Sequence, residues 1–139
     1  MVDGNSLYYS MATISTFEDL EIWKLARQQA IDIFHLYQTG NFSKDWELRS
    51  QINASSGSVM DNIAEGFERS GNREFYHFLI ISKGSNGEVR SQLCRAYDRK
   101  YITSEKFEEL KLSCTTLSKK ITAFLKYLKE SDQKGFRYR

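Results

Sequence analysis

Two runs of small residues, Ser55-Ser56-Gly57-Ser58 and Gly84-Ser85-Asn86-Gly87, sit at nearly equal distances from the polar turn Arg69-Ser70-Gly71-Asn72. The 139-residue chain contains no proline, so no ring interrupts a helix on either side of that turn. If both flanks are helical and the chain folds back at the turn, the two runs meet about 20 Å from it at the α-helical rise of about 1.5 Å per residue. Side chains this small let two helix backbones approach closely. Gly84 and Gly87 argue for a loop instead, since each costs roughly 1 kcal/mol in a helix interior. Close packing offsets that cost, and the expectation is a helical hairpin whose glycines and serines form the contact line.

Apolar spacing extends the helical reading to four segments. Ser15-Thr16 ahead of Glu18 and Asp19 predicts the start of the first helix. Its inner face is Leu20, Trp23, Ala26 or Arg27, Ala30, Phe34 and Tyr37, and Thr39-Gly40-Asn41 stops it. Ser43 is the expected cap of the second, with Trp46, Ile52, Ser56, Val59, Ile63 and Phe67 inward. Asn72 is the expected cap of the third, with Phe75, Phe78, Ser82, Ser85, Val89, Leu93 and Ala96 on one face. Thr103 or Ser104 opens the fourth. Its early glutamates (Glu105, Glu108, Glu109) and late lysines (Lys126, Lys129) suit the helix dipole.

No segment alternates with period two, and the connections are short. The expected fold is therefore all-α, an antiparallel up-down four-helix bundle in a single domain. Residues 1–14 read as an N-terminal tail, 15–130 as the bundle and 131–139 as a basic C-terminal tail. Phe75, Tyr76, Phe78, Leu79, Ile80 and Ile81 cover most of one helix circumference. A helix apolar all round is buried all round, so a closed, symmetric homo-oligomer is expected.

Several classes are disfavoured. The longest compact apolar run, Phe78-Leu79-Ile80-Ile81, is far short of the roughly 20 residues that span a bilayer. The N-terminus lacks a basic segment followed by an apolar one. Cys94 and Cys114 make no disulfide framework or metal pair and fall on apolar stripes, as core cysteines do. A reduced, cytoplasmic protein without membrane contact is expected. His35 and His77 have no Cys or His at metal spacing. No Ser–His–acid set or strand-linked phosphate loop is present. Neither a catalytic residue nor a metal or cofactor is expected, and the chain does not read as an enzyme.

The net charge of +2 hides an asymmetry: residues 1–68 carry −6 and residues 69–139 carry +8. A basic half suits phosphate; alternatively the halves neutralise each other within the bundle or between subunits. The candidate nucleic-acid-binding residues are Arg90, Arg95, Arg99 and Lys100, together with Arg137 and Arg139 of the tail Lys134-Gly135-Phe136-Arg137-Tyr138-Arg139. That tail interleaves rings that stack on unpaired bases with arginines that take phosphates. Arg90 cannot share one narrow helix face with the other three.

Over residues 14–130 the chain resembles the bacterial 23S rRNA intervening-sequence proteins, whose relatives include accessory proteins of diversity-generating retroelements. The matching words are Phe17-Glu18-Asp19-Leu20-Glu21-Ile22-Trp23, Asn62-Ile63-Ala64-Glu65-Gly66-Phe67, Glu74-Phe75, Phe78-Leu79, Gly84-Ser85, and Glu88 through Gln92-Leu93. The resemblance implies an up-down four-helix bundle assembled as a homopentamer around a central channel, without enzyme activity. It also implies binding to RNA or DNA, or to a nucleic-acid enzyme such as a reverse transcriptase. The competing expectation is a protein-interaction scaffold with no affinity for polynucleotide.

Asn62, Glu65, Gly66, Gly84, Ser85 and Glu88 become the family-motif positions, with structural roles. Glu65 is expected to pair with Arg69 one turn on or to accept hydrogen bonds from the start of the third helix near Asn72 and Arg73; the alternative is a polar element, with Asn62, facing a channel or partner. The chain departs from the pattern in three places. Val59-Met60-Asp61 replaces an Ile-Pro-Ser, which leaves the second helix unbroken. Asn53-Ala54 replaces paired arginines, which weakens the nucleic-acid reading. Asn86 stands in place of a leucine, and by the hairpin count it faces Asn53.

Overall fold

The computed structural model describes residues 14–133. Among them are four α-helices and no strand: α1 Glu21–Leu36, α2 Trp46–Glu68, α3 Asn72–Asp98 and α4 Ser104–Gln133, with 3-10 turns at Phe17–Asp19 and Asn41–Lys44. α3 packs on α2 and on α4, while α1 lies against α2 and α4. The four helices share one apolar core. The tail arginines Arg137 and Arg139 lie outside the described residues.

Ser15-Thr16 does not start α1. The Thr16 hydroxyl donates to Asp19 Oδ2 at 3.2 Å, and the turn Phe17–Asp19 intervenes before the helix begins at Glu21. That turn tucks Leu20 fully into the core. Gly40 breaks the chain after α1 at φ 64°, a left-handed conformation that favours glycine. Asp45, not Ser43, caps α2: its Oδ1 accepts the Leu48 N–H at 3.1 Å. Ser43 is held inside the preceding turn, donating to the Gly40 carbonyl at 2.6 Å. The same turn buries Phe42, whose ring stacks on Tyr101 at 5.3 Å.

Trp46, expected inward, is 73% exposed. It stands in the first turn of α2 with the Arg49 guanidinium 4.7 Å over its ring, and Leu48 takes the core position. The cap of α3 is the extended Gly71, and Asn72 is the buried first residue. Thr103 caps α4 as expected, its Oγ1 accepting the Lys106 N–H at 3.1 Å.

The chain doubles back at Ser70, which adopts φ 62°, and the two serine runs meet. Ser58 Oγ lies 2.9 Å from Ser85 Oγ. Ser82 Oγ donates across to the Val59 carbonyl at 2.7 Å. Nearer the turn, a Cβ on Gly66 would sit 2.7 Å from Phe78 Cβ and 2.9 Å from Phe75 Cδ1. The other glycines do not contribute to this line. A Cβ at Gly57, Gly84 or Gly87 would meet nothing within 4 Å, because those positions turn away from Ser82, Ser85 and Val89. Serines and one glycine make the contact.

α1 is rotated from its expected phase. Ile22, Ala26, Gln29, Ile33 and Tyr37 face the core, and Phe34 is 50% exposed. Gln29 disguises this stripe. Its Nε2 donates to Asn86 Oδ1 at 3.1 Å and lies 3.3 Å from Cys114 Sγ, while Asn86 Nδ2 donates to the Cys114 carbonyl at 2.8 Å. Asn86 therefore does not face Asn53, which is exposed and accepts from the Tyr37 hydroxyl at 3.1 Å. On α3, Leu79 takes the core position and Phe78 is half-buried, leaning on Gly66. Cys114 is buried as expected; Cys94 is exposed. Burial pushes the Cys114 thiol up to about 12.

Gly66→Ala forces a methyl against Phe75 and Phe78, and its expected cost is about 1–3 kcal/mol in urea unfolding. Gly57→Ala adds its methyl to open space and gains up to about 1 kcal/mol of helix propensity. In thiol labelling at pH 8, Cys94 reacts in the folded protein and Cys114 only after unfolding, because the thiolate is the reactive form.

Candidate nucleic-acid interface

The four basic residues singled out between 90 and 100 do not form a band. Arg95 turns toward α2 and donates to Gln51 Oε1. It lines a polar groove between α2 and α3 with Ser55, Glu88, Ser91 and Gln92. Arg99 is bound to Asp45, Nη1 to Oδ2 at 2.7 Å. Lys100 has an exposed side chain and a left-handed backbone: it adopts φ 60°, its N–H bonds the Tyr97 carbonyl and the Tyr101 N–H bonds the Ala96 carbonyl, each at 2.9 Å. These paired bonds are a left-handed cap on the end of α3. Arg90 alone lies on the opposite flank, facing α4.

Asp45 fixes this end of the molecule. Besides capping α2, its carboxylate accepts the Tyr101 hydroxyl at 2.8 Å and the Arg99 guanidinium. The Leu48 N–H, Tyr101 and Arg99 hold its carboxyl below the usual range. The Asp45 carboxylate raises the Tyr101 phenol in turn. Ion pairs from Arg99 to Asp45 and from Lys120 to Glu21 join the basic second half to the acidic first half.

A separate group of cations lines the seam between α3 and α4. Lys83 and Arg90 on α3, with Lys119 on α4, line a groove of about 390 Å³ together with Thr115, Ser118 and Thr122. Among the described residues none of these three cations makes an ion pair. No carboxylate lines the groove. The Thr115 and Thr122 hydroxyls donate to the Leu112 and Ser118 carbonyls at 3.0 Å, leaving their oxygens on the groove wall. Arg90 is close enough to favour the Cys114 thiolate against burial.

Further along the same pair of helices, Arg73, Tyr76 and Lys129 line a second groove of about 400 Å³ with Asn72, Leu128 and Asp132. The sequence reading found Arg90 but missed Lys83, Lys119 and the hydroxyls. Two signals were present: Lys83 precedes Arg90 by two helical turns, and Thr115, Ser118 and Thr122 recur at helical spacing. Neither says which helix lies opposite.

The family-motif residues have mostly structural contacts. Asn62 Nδ2 donates to the Ser58 carbonyl at 2.8 Å and to Ser58 Oγ at 2.9 Å, so Asn62, Ser58 and Ser85 form one chain of contacts across the hairpin. Glu65 pairs with Arg69 at 3.1 Å, as expected. Gly66 is the tight contact. Gly84 is exposed beside open space, and Glu88 lies on the rim of the α2–α3 groove.

Residues 18–123 match the sequence model of a family described as 23S rRNA-intervening sequence protein. Among solved structures, a protein of unknown function from the S23 ribosomal protein family of Bacteroides thetaiotaomicron VPI-5482 is similar, with a TM-score of 0.70 and 24% identity. The match covers 76% of this chain and 98% of that one, and at that identity the likeness concerns the fold. No curated protein matches the chain. No helix among the described residues is long and apolar enough to cross a membrane.

Asp45→Ala removes a helix cap and two side-chain partners, an expected loss of about 1–2 kcal/mol at pH 7. The folded-state pKa of Asp45 is depressed, so the charge-dependent part of this stabilisation is present above the unfolded value near 3.9 and is lost as pH falls through the folded one. Denaturation of both proteins between pH 7 and pH 2 therefore shows the gap narrowing at the acid end.

Proposed function

The chain belongs to the 23S rRNA-intervening sequence protein family, and on that premise we propose that it is a non-catalytic accessory or scaffold protein that self-assembles and binds RNA or DNA through a basic surface. The observation that carries this reading is the groove of Lys83, Arg90 and Lys119, three cations without ion pairs among the described residues and no carboxylate between them. Unpaired cations beside hydroxyls suit phosphate oxygens. A nucleic-acid enzyme such as a reverse transcriptase, held on the same assembly, is a partner of the same class.

Within this reading the monomer is an antiparallel up-down bundle. The pairings of Gly66 with Phe75 and Phe78, Ser58 with Ser85, and Gln51 with Arg95 support that course. The closed homopentamer comes from the family resemblance; self-association as such is supported by the outer surface of α3. Ile80 and Ile81 are 48% and 39% exposed there, and the neighbouring Gly84 and Gly87 leave open space for a second helix. The same patch favours a second reading, a protein-interaction scaffold with no polynucleotide affinity, as does the engagement of Arg95 and Arg99 with Gln51 and Asp45.

Titration with generic RNA and DNA at several salt concentrations separates the two. The nucleic-acid reading predicts affinity that falls linearly in a log–log plot against salt; absent or salt-independent binding leaves the scaffold reading. In light scattering at micromolar concentration a multimer is expected, and Ile80→Lys with Ile81→Lys shifts it toward monomer. A monomeric wild-type chain contradicts the assembly.

A further inference from the structure

We infer that the seam between α3 and α4 is the track of a single, extended phosphodiester backbone, gripped at two points. The inference rests on the nucleic-acid reading above and goes beyond it by naming the site and the form of its ligand.

The two grooves described above share this seam. Lys83, Arg90 and Lys119 line one; Arg73 and Lys129 line the other. Arg73 precedes Lys83 by ten residues, and Lys119 precedes Lys129 by ten. At about 1.5 Å per residue each pair is separated by about 15 Å along its helix. The two helices thus present cations at matching intervals on the two sides of the seam. Between them, Lys126 lies one turn beyond Thr122 and is exposed. One phosphate cannot occupy both grips; a polymer can.

The lining chemistry points to an unpaired strand. The first grip offers three cations and the hydroxyls of Thr115, Ser118 and Thr122, a set suited to phosphate and sugar oxygens and blind to base identity. The second grip adds Tyr76, whose half-buried ring lines the groove beside Arg73. A ring next to cations is the pairing that holds an unstacked base while its phosphate is neutralised. Asp132 also lines that second groove. On the other flank of α3, Arg95 is taken by Gln51 and stands near Glu88, so the strand is directed to the α4 side.

The test compares wild type with Lys83→Ala/Arg90→Ala/Lys119→Ala and with a control that loses the same charge elsewhere, Lys24→Ala/Lys44→Ala/Lys106→Ala. All six positions are exposed or half-buried, and circular dichroism establishes that both variants fold. The probes are poly(U), a dinucleotide and inorganic phosphate. For wild type, poly(U) binds with a linear salt dependence and the two small probes bind far more weakly. The seam variant lowers the magnitude of the log–log salt slope by about 2, three contacts at about 0.7 each for a single strand, and the control lowers it by less than half as much. Equal losses in the two variants overturn the seam assignment while the nucleic-acid reading stands. Poly(U) binding no tighter than the dinucleotide or phosphate overturns the extended track. Absence of salt-dependent binding by wild type removes the nucleic-acid reading itself, and the inference with it.

Discussion

The close approach of α2 to α3 sets the rotation of α3, and most surface chemistry follows from that rotation. Ser58 meets Ser85, Ser82 reaches the Val59 carbonyl, and Gly66 has Phe75 and Phe78 against its backbone. A longer side chain at any of these points would push the helices apart. With α3 held in this orientation, Asn86 enters the core, Lys83 and Arg90 fall on the α4 side, and Glu88 and Arg95 fall on the α2 side. The division of one helix into a basic flank and a neutralised flank is thus a consequence of a contact made on a third face.

Two polar constellations fix the remaining elements. In the core, Gln29, Asn86 and the Cys114 carbonyl tie α1, α3 and α4 at one level. Buried hydrogen bonds of this kind add little net stability but penalise every register that leaves them unpaired. At the far end, Asp45 joins the start of α2 to Arg99 and Tyr101, just beyond the end of α3. One carboxylate therefore serves as cap, ion-pair partner and phenol acceptor, and it neutralises Arg99.

Much of the fold was legible in the residues. The four helices, the hairpin and the meeting of the serine runs followed from apolar spacing and from the lack of proline. The phase of α1 did not, because a glutamine sits on its inner stripe and the more apolar Phe34 points outward. Trp46 misled for a related reason: a large apolar residue in a first turn can cover Arg49 and leave the core to Leu48. The basic site was only partly legible. Arg90 stood out, but its neighbours in space come from α4, and helix periodicity says nothing about which faces of two helices meet. Arg99 looked available because its constraint, an aspartate 54 residues earlier, is a tertiary feature.

The most direct measurement of the α2–α3 contact is a cross-link. With Cys94→Ser removing the exposed thiol, Ser58→Cys together with Ser85→Cys places two sulfurs where the hydroxyl oxygens now lie 2.9 Å apart, within reach of disulfide geometry. Mild oxidation is predicted to close this bond within one chain, with helicity retained and resistance to urea increased. A pair of thiols that stays reduced, or that links only different chains, would show that the two serine runs do not meet and that the orientation of α3 has been misread.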